Sequence, residues 1–204
     1  MPRANLATGW KDAFRAVVEL ILASTSPYRR QLLERLGVTF RAVSPTLDEG
    51  AFQARFDAAS AGELAEHLAI AKAMSVSPLE PAATILGSDQ VCVCEDRILN
   101  KPGTVEAAAE QLAFLAGKAH RLITAVCIWC AGVTLRHTDV TTLTMLPLSR
   151  EQIERYVAAD QPLDCAGSYK LEARGIALFE AIQSADHKSL PAKKPIHTAN
   201  ILHD

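Results

Sequence analysis

Short apolar runs alternate with capped helical stretches along this chain, and that alternation predicts an α/β fold. The join between the first run and the first helix points the same way. There a hydroxyl-rich turn, Ser24-Thr25-Ser26, leads into Pro27, which suits the opening turn of a helix because its missing N–H is not needed there. Size supplies a third observation: 204 residues and 22.0 kDa are enough for one sizeable core or two closely packed lobes. No internal repeat and no low-complexity linker interrupts the pattern.

The first strand is expected over Val17 to Ala23, apolar apart from Glu19, followed by a helix capped by Ser26. Val38 to Val43 reads as a second strand and ends in Ser44-Pro45-Thr46-Leu47-Asp48-Glu49, after which a loop follows. Ser60 with Glu63 has the pattern of a capping box, and Leu64, Leu68, Ala71 and Met74 recur at helical spacing up to Ser75, before Pro78 and Pro81 close the helix. Thr84-Ile85-Leu86-Gly87 is a short buried strand running into Ser88-Asp89-Gln90, and Val91 to Cys94 continues the extended pattern to a turn at Glu95-Asp96. Thr104 caps a helix that carries Ala108, Leu112 and Leu115 on one face and stops at Gly117. Strands follow over Leu122 to Ala131 and Val140 to Leu146, and Ser149 with Gln152 caps a helix over Glu151 to Ala158.

A net charge of −2 and a pI near 6.3 give no overall attraction to nucleic acid or to an anionic membrane, so neither is expected as a partner. Any anion binding must be local. No apolar run approaches the roughly 20 residues of a membrane span, and residues 1–18 lack the apolar core of a secretory signal. A cytoplasmic protein is the expectation. The five cysteines, Cys92, Cys94, Cys127, Cys130 and Cys165, are an odd number too sparse for a disulfide scaffold. Cys127-Ile128-Trp129-Cys130 has the spacing of a zinc or dithiol half-site, but it lies in an apolar strand with no second such pair, so core packing is the better reading. The dispersed histidines form no metal motif, and Gly117-Lys118 lacks both the upstream glycine and the following Ser or Thr of a phosphate-binding P-loop.

The turn at Ser24 to Arg30 has the makings of an anion cradle. A helix beginning at Ser26 points unpaired N–H groups and its positive dipole end back at the turn, and Arg29 and Arg30 add fixed positive charge. The same residues also suit a capped surface helix with solvated arginines. Asp89, at the end of a buried strand and before the polar Gln90, is placed to bind a metal or orient water, or to serve as a turn residue. Lys101 is held extended by Pro102, aimed either at a phosphate or at solvent. Together, a cationic cradle, a carboxylate and a further lysine are what hydrolysis of a metal-bound polyphosphate needs.

Ser24-x-Ser26-x-x-Arg29-Arg30-x-Leu32-Leu33, Asp48-Glu49, Gly87-Ser88-Asp89-Gln90-Val91, Lys101-Pro102, Leu115-x-Gly117 and Cys165-Ala166-Gly167-Ser168-Tyr169 together resemble the Maf family of nucleoside triphosphate pyrophosphatases. The resemblance covers about Glu19 to Gln183, taken as one domain over 19–183. It implies a mixed-sheet α/β fold, like that of inosine triphosphatase, with two lobes around a central cleft. It also implies cleavage of a nucleoside triphosphate to monophosphate and pyrophosphate, a divalent cation (magnesium, manganese or cobalt) and a homodimer. Gly87-Ser88-Asp89-Gln90-Val91 and Pro162 to Ser168 look like the branch that acts on 7-methyl-GTP.

By that resemblance Asp89 is the general base and, with Glu49, the metal-associated carboxylate. Tyr28, Gln90 and Glu172 match positions that set base specificity. Ser24, Ser26, Arg29, Arg30, Glu49, Lys72, Lys101 and Lys170 fall on or beside the phosphate and metal site. Two departures accompany the match. Residues 1–18 form an extension ahead of it, and 184–204 an atypical tail with Pro191 and Pro195 where the family has a Gly-Leu-Pro motif and an apolar helix. The alternative functions are a nucleotide-binding regulator of cell division or septum formation, and a pyrophosphatase acting on dTTP, UTP or non-standard purine triphosphates.

Overall fold

The computed structural model describes residues 19–57 and 59–184. The chain runs through β1 (Leu20–Ala23), α1 (Pro27–Arg35), β2 (Arg41–Val43), α2 (Glu49–Gln53), α3 (Ala61–Val76), β3 (Thr84–Cys94), β4 (Arg97–Leu99), α4 (Val105–Leu115), β5 (Ala119–Cys130), β6 (Val133–Met145), α5 (Arg150–Asp160), a 3-10 turn (Arg174–Leu178) and β7 (Phe179–Ser184). The seven strands among the described residues form one mixed sheet in the order β2-β1-β3-β5-β6-β7, with β4 paired to the far end of β3. β1 is parallel to β2 and β3, and every other pairing is antiparallel.

Alternation along β3 and β5 divides the interior into two cores, because successive side chains leave opposite faces of a strand. Ile85, Val91, Val93, Ile123, Ala125 and Cys127 face α3, whose Leu64, Ala65, Leu68, Ala69 and Ala73 are buried against them. Cys92, Cys94, Leu122 and Leu143 face the other way, onto Ala108, Leu112 and Leu115 of α4 and Ile153, Tyr156 and Val157 of α5. These two packed halves are the lobes that the resemblance implies. α3 lies very close to the sheet at Gly87, where a side chain would meet the backbone of Ala69 and Ala73.

Several helix boundaries follow from the caps read in the sequence. Ser26, Thr104 and Ser149 cap α1, α4 and α5, and Gln152 completes the reciprocal box at Ser149. Ser60 differs. It precedes α3 but makes no capping bond; its Oγ accepts instead from the Asp57 N–H at 3.0 Å and donates to Asp57 Oδ1 at 2.7 Å.

The strand expected over Val38 to Val43 shrinks to Arg41–Val43. Gly37, at φ +68°, and Val38 are consumed in closing α1, through bonds to the carbonyls of Glu34 and Leu33. The strand expected at Val140 begins instead at Val133, since Ala131 and Gly132, both at positive φ, make a two-residue hairpin turn that continues the β5 ladder into a solvent-exposed stretch. Val17 and Val18 of the first expected strand, the extension over 1–18 and the tail from 185 lie outside the described residues.

The second core contains a titratable group. His120 is 2% exposed, lies 3.0 Å from the Tyr169 hydroxyl through Nε2, and packs against the rings of Tyr169 and Phe179. Burial lowers its pKa from 6.5 to about 4. An unfolded chain therefore takes up a proton near pH 6.5 that the folded chain refuses until about pH 4. The stability contributed by the neutral imidazole is full above that window and lost as pH falls through it, amounting to about 3 kcal/mol at most. Melting temperature should drop across this range more steeply in the wild type than in His120→Gln, and parallel curves would refute the assignment.

Candidate active site

The sheet leaves a gap at one place on the edge of β3. Its neighbour β1 ends with Ala23 beside Gly87, and the pairing with β4 starts only at Cys92, which lies beside Leu99, the last residue of β4. Between those points, among the described residues, Ser88 to Val91 have no strand on that side, and a cleft of about 800 Å³ opens there. Backbone groups on such an edge are free to meet a ligand. α1 starts immediately past the end of β1, so its N-terminus comes to the same opening, as in other α/β folds where ligands collect beyond the carboxyl ends of parallel strands.

Asp89 stands in this gap, 7% exposed, with its side chain on the α3 face of the sheet. Lys72, which is 4% exposed on α3, donates to Asp89 Oδ1 at 2.5 Å and lies 3.0 Å from Glu49 Oε1. One ammonium thus holds two carboxylates from separate elements, β3 and the first turn of α2. Asp48 caps that short helix by accepting from the Ala51 N–H at 3.0 Å, which aims Glu49 inward. Both acids are thereby drawn to one point in the cleft.

The cradle is built as a turn organised by Ser24. Its Oγ, almost fully buried, accepts from the Ser26 N–H at 3.1 Å and from Arg29 Nη1 at 3.4 Å, while Ser26 Oγ accepts from the Arg29 N–H at 3.5 Å. Burial pulls the Arg29 guanidinium down from its ordinary value, and the nearby Asp89 and Glu49 carboxylates oppose that shift. Arg29 remains a cation at neutral pH, since guanidinium starts so high. The helix N-terminus and this side chain together concentrate positive charge near Asp89, an arrangement suited to an anion.

Polar groups of the cleft mouth come from elsewhere. Tyr28 donates its hydroxyl to Asp164 Oδ1 at 2.8 Å, and burial together with the Cys165 and Asp164 contacts raises the phenol above its usual range, so it stays a donor. Burial also pushes the Cys165 thiol up to about 11, which keeps it from acting as a thiolate nucleophile near neutral pH. Gln90 Nε2 donates to Thr124 Oγ1 at 2.9 Å, its neighbour in the β3–β5 register. Glu172 also lines the cleft and is exposed.

Every site residue singled out in the sequence lines this cleft except Arg30 and Lys170. Arg30 follows Arg29 by one position, and a helix turns successive side chains about 100° apart, so the two arginines cannot face one ligand together. Lys170 Nζ donates to the Asp160 carbonyl at 2.7 Å and sits 5.6 Å from the centre of the Tyr28 ring, behind the cleft wall. Gln53, Asn100, Thr124 and Asp164 line the cleft without having been singled out. Asp164 lies inside a run that carried the family resemblance, whereas Thr124 enters only through its register opposite Gln90. Cys127 and Cys130 are no half-site: three positions apart on β5 they leave opposite faces, one buried and one exposed.

Among the described residues, no three His, Cys, Asp or Glu side chains cluster as a metal cage. The pair Asp89 and Glu49 nonetheless suits a magnesium-like ion, which commonly takes one or two carboxylates and completes its shell with phosphate oxygens and water. No described helix is long and apolar enough to cross a membrane.

The model of the Maf-like protein family matches residues 19–190. A protein of Bdellovibrio bacteriovorus named 7-methyl-GTP pyrophosphatase is 43% identical over 185 residues, covering 90% of this chain and 95% of that one. Proteins of the same name are 42% identical in Pseudomonas putida, over 85% of this chain and 90% of theirs, and 44% identical in Xanthomonas axonopodis pv. citri, over 90% and 94%.

Proposed function

The chain belongs to the Maf family, and on that premise we propose that it is a nucleoside triphosphate pyrophosphatase whose substrate is 7-methyl-GTP. One observation carries the reading: Asp89 is held by a buried lysine at the gap in the β3 edge, near the N-terminus of α1 and Arg29. A triphosphate carries about four negative charges near neutral pH, and helix N–H groups, Arg29 and Lys101 spread that charge in the cleft. Asp89 takes a proton from the attacking water as its oxygen bonds to phosphorus. The anhydride bond between the α and β phosphorus atoms breaks, and pyrophosphate leaves with the electron pair. Asp89 and Glu49 would hold a divalent cation, which would supply charge neutralisation at the phosphates. Magnesium and manganese both suit this all-oxygen set.

Other residues lining the cleft favour a methylated base. N7-methylguanine bears positive charge, and the Tyr28 ring with the Asp164 and Glu172 carboxylates offers it an aromatic face and two anions. The five cysteines are unpaired, which suits the reducing cytoplasm in which a nucleotide pool would be cleaned. A panel of canonical and methylated nucleoside triphosphates with magnesium or manganese tests the reading. The expected result is pyrophosphate release from 7-methyl-GTP at a higher kcat/KM than from GTP, dTTP or UTP. Faster cleavage of dTTP would defeat the substrate assignment, and binding without any turnover would favour a regulatory nucleotide-binding role.

A further inference from the structure

We infer that Gln111, a residue of α4 outside the cleft lining, is a positioning residue that locks the two wall segments of the active site against each other. Its carboxamide works in both directions. Nε2 donates to the Asn100 carbonyl at 2.9 Å, and Oε1 accepts from the Ser168 hydroxyl at 2.8 Å. Ser168 is completely buried and holds a left-handed backbone at φ +63°, directly after Gly167 at φ +78°. A non-glycine residue pays for that conformation and keeps it only where the surroundings over-determine it.

The consequence lies in which stretches are bracketed. A backbone bond from the Gly103 N–H to the Leu163 carbonyl, 2.9 Å long, forms a second tie between the same two segments. Lys101 and Pro102 therefore lie between two anchors, Asn100 and Gly103. Asp164 to Gly167 likewise lie between Leu163 and Ser168. Lys101 and Asp164 both line the cleft, so the two ties fix the wall segments that carry them relative to each other. Asn100 extends the chain one step further by accepting from Gln53 Nε2 through its side chain, which brings in α2, the helix that carries Glu49. Neither carboxamide oxygen nor nitrogen of Gln111 reaches the cleft; the residue acts through what it holds.

Without Gln111 the Gly103 tie still joins the two segments, but the direct link between Asn100 and Ser168 at their other ends is lost. Lys101 and the Asp164 turn would then sample positions that a bound nucleotide has to select from, at a cost in affinity rather than in the bond-breaking step. The inference rests on the pyrophosphatase reading in taking Lys101 as a phosphate ligand. Three variants separate it from mere stabilisation. Gln111→Met keeps the size and loses both bonds. Gln111→Glu keeps the acceptor for Ser168 and loses the donor to Asn100. Ser168→Gly loses the hydroxyl while relieving the left-handed strain, so it folds even if the first variant is destabilised.

KM for 7-methyl-GTP should rise about tenfold in Gln111→Met, with kcat within about twofold of wild type, as expected when binding alone is lost. Gln111→Glu should fall between, and Ser168→Gly should raise KM without lowering the melting temperature. Combining Gln111→Met with Ser168→Gly should add little to the first, because both remove one link. Calorimetric titration with magnesium pyrophosphate, which needs no turnover, should show the same loss of affinity. Wild-type KM and pyrophosphate affinity in Gln111→Met and Ser168→Gly would overturn the inference, whatever their melting temperatures. A wild-type enzyme inactive on every nucleotide would instead overturn the proposed function, and the pyrophosphate titration would still decide the role of Gln111.

Discussion

Asp89→Asn should lower kcat for pyrophosphate release by a factor of about a hundred or more, the usual range for removing a general base. The change is nearly isosteric, and Lys72 keeps Glu49 at 3.0 Å, so the fold survives and the loss is chemical. Asparagine cannot take a proton from water, and it removes one of two carboxylates drawn to the buried ammonium. Measuring kcat, KM and melting temperature on the same sample separates the two effects. Near wild-type kcat in a folded Asp89→Asn protein would strip the residue of its role. The position explains why so much depends on it: of the β3 edge residues left bare between β1 and β4, Asp89 alone has a carboxylate on the α3 face.

Gly87→Ala should be strongly destabilising although it adds a single methyl group. A Cβ at that point would lie 2.1 Å from the Ala69 carbonyl oxygen and 2.9 Å from the Ala73 nitrogen, both backbone atoms of α3. Helix backbone cannot rotate out of the way as a side chain can. α3 would have to lift from the sheet, opening the core lined by Ile85, Ala125 and Cys127, at a cost of about 3 kcal/mol or more. Because Lys72 rides on that helix between Ala69 and Ala73, the same shift draws its ammonium away from Asp89. Thermal unfolding should show a fall of many degrees, and activity below the melting transition should fall as well. A variant that melts within about a degree of wild type would mean that the helix and sheet do not touch at Gly87.

Local chemistry was readable where one segment carries its own instruction. Ser26, Thr104 and Ser149 announce helix starts because a cap is a contact among residues three apart, and the structure places all three as read. Ser60 has the same pattern yet its oxygen accepts from the Asp57 N–H, a competition between two nearby donors that spacing cannot adjudicate. The turn at Ala131-Gly132 was missed because the hairpin it makes runs through an exposed stretch of β6 with no apolar alternation to mark it. The cleft residues divide in the same way. Asp89, Arg29 and Lys101 stand in recognisable motifs, whereas Thr124 and Gln111 work through partners 34 and 57 positions away.

Most of the longer strands and helices, the hydroxyl-and-arginine turn and the acid at the end of a central strand are written in contiguous residues, since propensity, capping and charge act over a few positions. By contrast, α2, β4 and β7 are too short or too dependent on packing to be read there. Contact between Lys72, Glu49 and Asp89 is not written there either, nor is the bare edge of β3 that admits a ligand to them. Those arise only when a parallel strand stops short, an antiparallel one starts late and a helix settles onto a glycine. Each is a matter of register and close approach between segments far apart in the chain, and no local pattern encodes the distance across a gap.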